Sequence, residues 1–298
     1  MKEILTKIKL RGKSATRIAK IAMNNNIMLY PQGKSKALTF SFDDGEKNDI
    51  RLCELFNKYG LKGTFNLNSG LMTKEPSEKS SKVALSQIPQ VYKGHEVAVH
   101  TVHHPFLEKM TSTEIAVEIL DDRRTLEEYT GYVVRGMAYP FGTYNDDVIR
   151  IAKDLGIKYS RGVHSHYGFS VPTKWLEMPA TCHQADEKIF DIAKTFVEES
   201  ATKDWRSTVG WLFYIWGHSY EYRNEDDWAR MEKLCSYLSN RDDVWYATNI
   251  EIYDYVEAYR SLCYSVDLEH VYNPSSKDIW LMHEGKVVMI PSNKEVKL

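Results

Sequence analysis

The sequence predicts an α/β fold built on a parallel sheet, and two observations predict it. Short apolar runs alternate with segments whose apolar residues recur at helical spacing, from about residue 37 to residue 261. Alternation of that length builds a parallel sheet, as a (β/α) barrel or as an open α/β sheet. The chain also has 298 residues, 43% hydrophobic and 12% aromatic, which is enough for a sizeable core and excludes a disordered polymer.

The elements are taken in order. Residues 1–36 are basic and lack a strand pattern, so they form an N-terminal extension. Residues 37–42 read as a buried strand. A helix follows, carrying Leu52, Leu55, Phe56 and Tyr59 and stopped by Gly60. Residues 63–67 and 96–99 are the next strands, separated by a polar loop at 72–82. Thr111 and Glu114 make a capping box for a helix carrying Ile115, Ile119, Leu126 and Tyr129. Strands at 133–138, 157–160, 211–216 and 244–247 alternate with helices around 148–155, 190–197, 228–238 and 252–259. The pattern then changes. Residues 278–290 read as a hairpin turning at Glu284-Gly285, so 262–298 form a small C-terminal β segment beside a catalytic domain at 37–261.

Charge and cysteines narrow the function classes. Lys and Arg total 39 against 41 for Asp and Glu, a net charge of -2, which excludes bulk nucleic-acid binding. No apolar run approaches the roughly 20 residues of a membrane span. No uninterrupted apolar core of about 7–15 residues marks a signal peptide, so the expected compartment is the cytoplasm. Cys53, Cys182, Cys235 and Cys263 are dispersed, form no CxxC pair and read as reduced thiols. The oligomeric state is left open.

In parallel α/β folds the chemistry sits where strands end. Asp43 and Asp44 follow the first strand, and adjacent carboxylates repel unless a cation or a proton separates them. A solvated Asp-Gly turn is the alternative. His100 and His104 follow the strand at 96–99; one helical turn would bring both imidazoles to one side, a recurring way to hold a divalent metal. A chance group of surface histidines is the alternative. His218 lies two residues past the strand at 211–216, as a structural or a catalytic side chain.

Asp43-Asp44-Gly45, His100-Thr101-x-x-His104-Pro105 and Pro140-Phe141-Gly142 together resemble the polysaccharide deacetylase family, carbohydrate esterase family 4, over about residues 37–258. The resemblance implies a distorted, incomplete (β/α) barrel. It implies that Asp44, His100 and His104 hold one divalent ion, with zinc first and cobalt or nickel as substitutes. It implies Asp43 as general base, His218 as general acid and the Phe141 N–H as oxyanion donor, in the removal of an N-acetyl group from an amino sugar or glycan by activated water. The family's arginine two residues before the proline is replaced here by Ala138, and Arg161 is the candidate substitute for orienting Asp43. The family's fourth motif is not recognisable; Trp175 is the candidate for its apolar role, with Tyr144 and His183 as further residues lining the substrate site. His103 is expected to point away from the metal. Two rival functions remain: an O-acetyl esterase or cyclic-amide hydrolase on the same fold, and a carbohydrate-binding protein without activity.

Overall fold

The computed structural model describes residues 26–202 and 209–298. Most of the expected N-terminal extension therefore lies outside the described residues. The chain divides into two compact units.

The larger unit comprises residues 37–199 and 211–254. Its sheet contains β2 (Lys36–Asp43), β3 (Gly63–Leu67), β4 (Glu96–Val99), β5 (Gly136–Ala138), β6 (Tyr159–Ser165), β7 (Met178–Ala180), β8 (Cys182–His183), β9 (Trp211–His218) and β10 (Val244–Tyr246). The order is β7-β6-β5-β4-β3-β2-β9-β8, with β10 also beside β2. β2 through β7 pair in parallel along this order, as do β8 and β9. Among the described residues β7 and β8 end the order without pairing with each other, so the barrel they form is not closed. Every residue of β2, β3 and β4 is buried. Burial on both faces is usual for parallel strands, and here it encloses the polar Thr39, Ser41, Thr64 and Asn66 together with the apolar residues.

The helices start and stop for local reasons. Ser112–Thr130 begins at Thr111, whose side chain accepts from the Glu114 N–H while the Glu114 carboxylate accepts from the Thr111 N–H at 2.8 Å. It ends at Gly131, with φ +73, where a left-handed residue closes the last turn. Asp146–Asp154 is capped by the Asn145 side chain. Between sheet and helices the core packs Phe40, Phe42, Phe56 and Phe65, with Phe40 and Phe56 rings 4.6 Å apart.

Two strands differ most from their sequence bounds. The run at 133–138 contributes only Gly136–Ala138, and the run at 157–160 becomes Tyr159–Ser165. β6 grows longer because it pairs with β5 on one side and β7 on the other. The registers Asp43↔Asn66, Leu67↔Val99 and Ala138↔Arg161 bring the carboxyl ends of β2 to β6 to one end of the sheet.

Of the described residues, the smaller unit gathers 26–36, 200–202, 209–210 and 255–298. Its β13 (Ile279–His283) and β14 (Lys286–Ile290) form the expected hairpin, turning where Glu284 and Gly285 both adopt positive φ. β1 (Ile27–Leu29) pairs antiparallel with β13. β11 (Cys263–Tyr264), β12 (His270–Tyr272) and β15 (Glu295–Lys297) make a second antiparallel sheet. All four cysteines are free thiols. Among the described residues no helix is long and apolar enough to cross a membrane.

Candidate active site

The strand ends converge three ligand atoms. The Asp44 Oδ1 lies 3.7 Å from His100 Nε2 and 3.7 Å from His104 Nε2. Ligands held at about 2.0–2.2 Å around a tetrahedral ion stand slightly closer than that, so a small contraction would seat a metal. Buried His100 directs its Nδ1 to the Ala138 carbonyl at 2.8 Å, which assigns the proton to Nδ1 and leaves Nε2 as a lone-pair donor. Burial holds the His100 pKa below the ordinary value despite Asp43 and Asp44, and a neutral imidazole is the form that ligates. The donor set therefore fits a divalent cation.

The histidines do not reach this arrangement as one helical turn. Residues 100–105 form a loop, with Thr101 at φ +68 and His104 at φ +57. Pro105 explains part of this, because the residue before a proline avoids the helical region. Asn68 accounts for more: its side-chain amide donates to the His100 carbonyl and, at 3.1 Å, to that of Thr101. Asp122 accepts from the His100 N–H at 3.0 Å and the Ser69 N–H at 2.8 Å, and burial raises its pKa to about 7. Asp44 and Phe141 also adopt positive φ, at +80 and +56. Non-glycine residues held in that region store strain that surrounding contacts must offset.

Asp43 is buried between Arg161 and Asn66. The Arg161 guanidinium, 0% exposed, contacts both Asp43 carboxylate oxygens, and the Asn66 amide donates to Asp43 Oδ1 at 2.8 Å. Burial pushes the Asp43 pKa up, but Arg161, His100 and His218 outweigh it and hold it at about 2. His218 Nε2 stands 3.9 Å from Asp43 Oδ2. The other nitrogen, Nδ1, meets Glu221 Oε1 at 2.9 Å. Burial would lower the His218 pKa; Glu221, Asp43 and Asp44 reverse that and raise it. Glu221 is itself fixed by Gln184, which donates to its second oxygen at 2.8 Å.

Glu221, Asn66, Asn68 and Asp122 carry no motif, so sequence reasoning missed them. The available signals were a carboxylate three residues past His218 and two asparagines at a strand's carboxyl end.

The remaining candidates are placed as follows. Phe141 is 47% exposed, stacked on Phe106 at 3.8 Å and edge-on to His104 at 4.4 Å. His183 Nε2 lies 3.3 Å from Glu221 Oε1. His183, His218 and Glu221 form a second cluster of ligand-type atoms, but His183 Nδ1 accepts from the Ala185 N–H, so its Nε2 carries the proton and donates to Glu221. Trp175, expected against the substrate, is 9% exposed and packs edge-to-face on Tyr253, which leaves little ring for a ligand. Its indole filled the core instead because it sits in a short helical turn just before β7. Tyr144 packs on Tyr139 at 4.7 Å and borders a groove beside the Phe141 loop. His103 is exposed and bonds to Glu118 at 2.7 Å.

Residues 31–160 match the polysaccharide deacetylase family model. Peptidoglycan-N-acetylglucosamine deacetylase PgdA of Listeria monocytogenes is 25% identical over 179 residues, which is 52% of this chain and 34% of that protein. The chain thus covers about a third of that relative's length. A Mycobacterium smegmatis structure, provisionally described as a polysaccharide deacetylase, superposes with a TM-score of 0.57 at 18% identity, covering 78% of this chain and 94% of that one. The Streptococcus pyogenes deacetylase PplD, solved with acetate, is 26% identical with a TM-score of 0.43, covering 47% of this chain and 61% of that one. The matched segment contains both the Asp43-Asp44 and the His100–His104 motifs, so this part of the chain is similar to the polysaccharide deacetylase family, and the Mycobacterium smegmatis structure shares its fold.

Proposed function

We propose that the chain is a divalent-metal-dependent hydrolase that removes N-acetyl groups from an N-acetylated amino sugar or glycan. The observation that carries this reading is the Arg161-held Asp43 facing the Glu221-held His218 at 3.9 Å, beside the triad of Asp44, His100 and His104. An acid and a base whose surroundings push their pKa values apart are the mark of acid–base hydrolysis. The Listeria relative's name, a peptidoglycan N-acetylglucosamine deacetylase, supports the substrate class.

Asp44, His100 and His104 would hold the ion, and nitrogen and carboxylate donors suit zinc, with cobalt or nickel as substitutes. A bound divalent ion supplies Lewis acidity to the acetyl carbonyl and lowers the pKa of water from 15.7 toward about 7. Asp43, kept ionised by Arg161, takes a proton from the attacking water. The Phe141 N–H donates to the developing oxyanion, a contribution of about 10²–10³ in rate for donors of this kind. His218, kept protonated by Glu221, gives its proton to the departing nitrogen as the C–N bond breaks. Acetate and a free amino sugar are the products.

The test is acetate release from N-acetylglucosamine oligomers after metal reconstitution, run beside O-acetyl esters and cyclic amides. Turnover of the amide substrates, abolished in Asp43→Asn with the metal still bound, is expected. Faster turnover of esters or cyclic amides would replace the proposed substrate, and sugar binding without any turnover would make the chain a carbohydrate-binding protein.

A further inference from the structure

We propose that Asn48 is a positioning residue for the acid step: its side-chain amide holds the turn that carries His218 and Glu221 against the loop that carries Asp43 and Asp44. The proposal deepens the deacetylase reading and rests on it.

His218 ends β9, and the chain turns at once through Ser219–Glu221. The turn closes with the Tyr222 N–H donating to the Ser219 carbonyl at 3.2 Å. So short a turn has poor hydrogen-bond geometry and does not by itself fix the direction of its side chains. Two side chains from elsewhere supply further restraint. Gln184 donates to the His218 carbonyl at 2.9 Å and to the Glu221 Oε2 at 2.8 Å. Asn48 Nδ2 donates to the Ser219 carbonyl at 3.0 Å and to the Tyr222 carbonyl at 3.4 Å. Ser219 and Tyr222 are buried, and a buried carbonyl outside the sheet ladder needs a donor. A primary amide suits this task because it carries two N–H groups on one nitrogen. Asn48 thus pins both ends of the turn, and Glu221 lies between the two pinned carbonyls.

The place of Asn48 in the chain gives the clamp its consequence. It is the first residue of the helix Asn48–Lys58, which begins just after the Asp43-Asp44 pair. That helix buries Leu52, Cys53 and Phe56, and Asp49 Oδ2 accepts from the Tyr92 hydroxyl at 2.8 Å. Its first turn is therefore a fixed platform. Through Asn48 the turn of the acid is tied to the loop of the base across 171 positions of the chain. The two groups it relates are His218 Nε2 and Asp43 Oδ2, 3.9 Å apart. Misplacing a reacting group by about 1 Å can cost about 10²-fold in rate, so a loosened turn weakens proton delivery while the metal ligands stay in place.

The test compares the metal-loaded full chain with its Asn48→Ala and Asn48→Asp variants. Aspartate has nearly the shape of asparagine and suits the first turn of a helix, but its carboxylate donates nothing to a carbonyl, so it removes the clamp and keeps the helix. Two substrates separate the acid step from the rest. The amine leaving an N-acetylglucosamine oligomer needs a proton, whereas the phenolate leaving an aryl acetate does not. The expected result is a fall of about 10²-fold in kcat on the oligomers with KM unchanged, and a far smaller fall on the aryl acetate. Equal falls on both substrates would overturn the proposal, because loss of metal or of fold acts on both alike. Hydrogen exchange read by mass spectrometry needs no turnover and decides the matter on its own. Residues 218–222 should exchange faster in both variants than in the wild type, with the rest of the chain unchanged. If the wild type releases acetate from neither substrate, the deacetylase reading fails, while faster exchange confined to 218–222 still supports the clamp. Exchange that is unchanged at 218–222, or faster throughout the chain, overturns it.

Discussion

The contact between Arg161 and Asp43 joins residues 118 positions apart in the chain, and it is buried on both sides. Removing one member of such a pair leaves an uncompensated charge in the interior, at a cost of about 3–5 kcal/mol. Arg161→Met should therefore lower stability by that amount in urea unfolding, and the double variant with Asp43→Asn should recover much of it. An additive double variant would mean that the two side chains do not act as a pair. Glu221 is the second residue whose effect is exerted through another. It accepts from His218 Nδ1, orients Nε2 toward Asp43 and raises the His218 pKa. A general acid works while protonated, so the alkaline limb of the rate profile follows that pKa. Glu221→Gln should move this limb to lower pH and reduce kcat by about 10²-fold, the usual scale of general-acid assistance. A limb that stays in place would assign the alkaline limb to some other group.

At the scale of elements, β3 connects the two halves of the site. Its carboxyl end sends Asn66 to Asp43, and the next residue of that face, Asn68, goes to the loop that carries His100 and His104. Asn68→Ala would free two carbonyls in a loop already strained at Thr101 and His104. The expected outcome is a metal affinity about 10–100-fold weaker by chelator competition, the usual result of removing a group that orients ligands. Unchanged affinity would show that Asp122 and Ala138 hold the ligands on their own. The same loop shows what sequence does and does not reveal. The spacing of His100 and His104 pointed to a shared site, because ligand chemistry constrains residue type and order. The backbone path was not legible, because Asn68 and Asp122 impose it from elements 32 and 22 positions away. Arg161 was legible as the candidate for orienting Asp43 in place of the arginine that Ala138 replaces; the parallel register that sets it beside Ala138 was not.

The whole molecule was legible where each element obeys a local rule. Strand-helix alternation implied the parallel sheet, the capping box marked the helix at Ser112–Thr130, and Glu284-Gly285 marked the hairpin. Polar groups buried at the opposite end of the sheet carry no such pattern, and Glu96 is the most consequential of them. At the start of β4, Glu96 accepts from Thr64 of β3 at 2.9 Å, from Tyr159 of β6 at 2.7 Å and from the Ile250 N–H at 2.9 Å, at the start of the helix Asn249–Arg260. Burial raises its pKa to about 7 even against these three donors. The folded state therefore holds a proton that the unfolded chain releases near pH 4.5. The contribution to stability is fully present below about pH 4.5 and is lost as pH rises through about 7. From a shift of this size it amounts to about 3 kcal/mol at most. Asp49 and Asp122, also raised to about 7, act in the same direction. Urea unfolding at pH 5 and pH 8 should show the wild type less stable at the higher pH. Glu96→Gln keeps a neutral group of the same shape in the same contacts, so it should narrow that gap and raise stability at pH 8. A gap of unchanged width would show that Glu96 stays ionised in the folded state and that the pH dependence arises elsewhere.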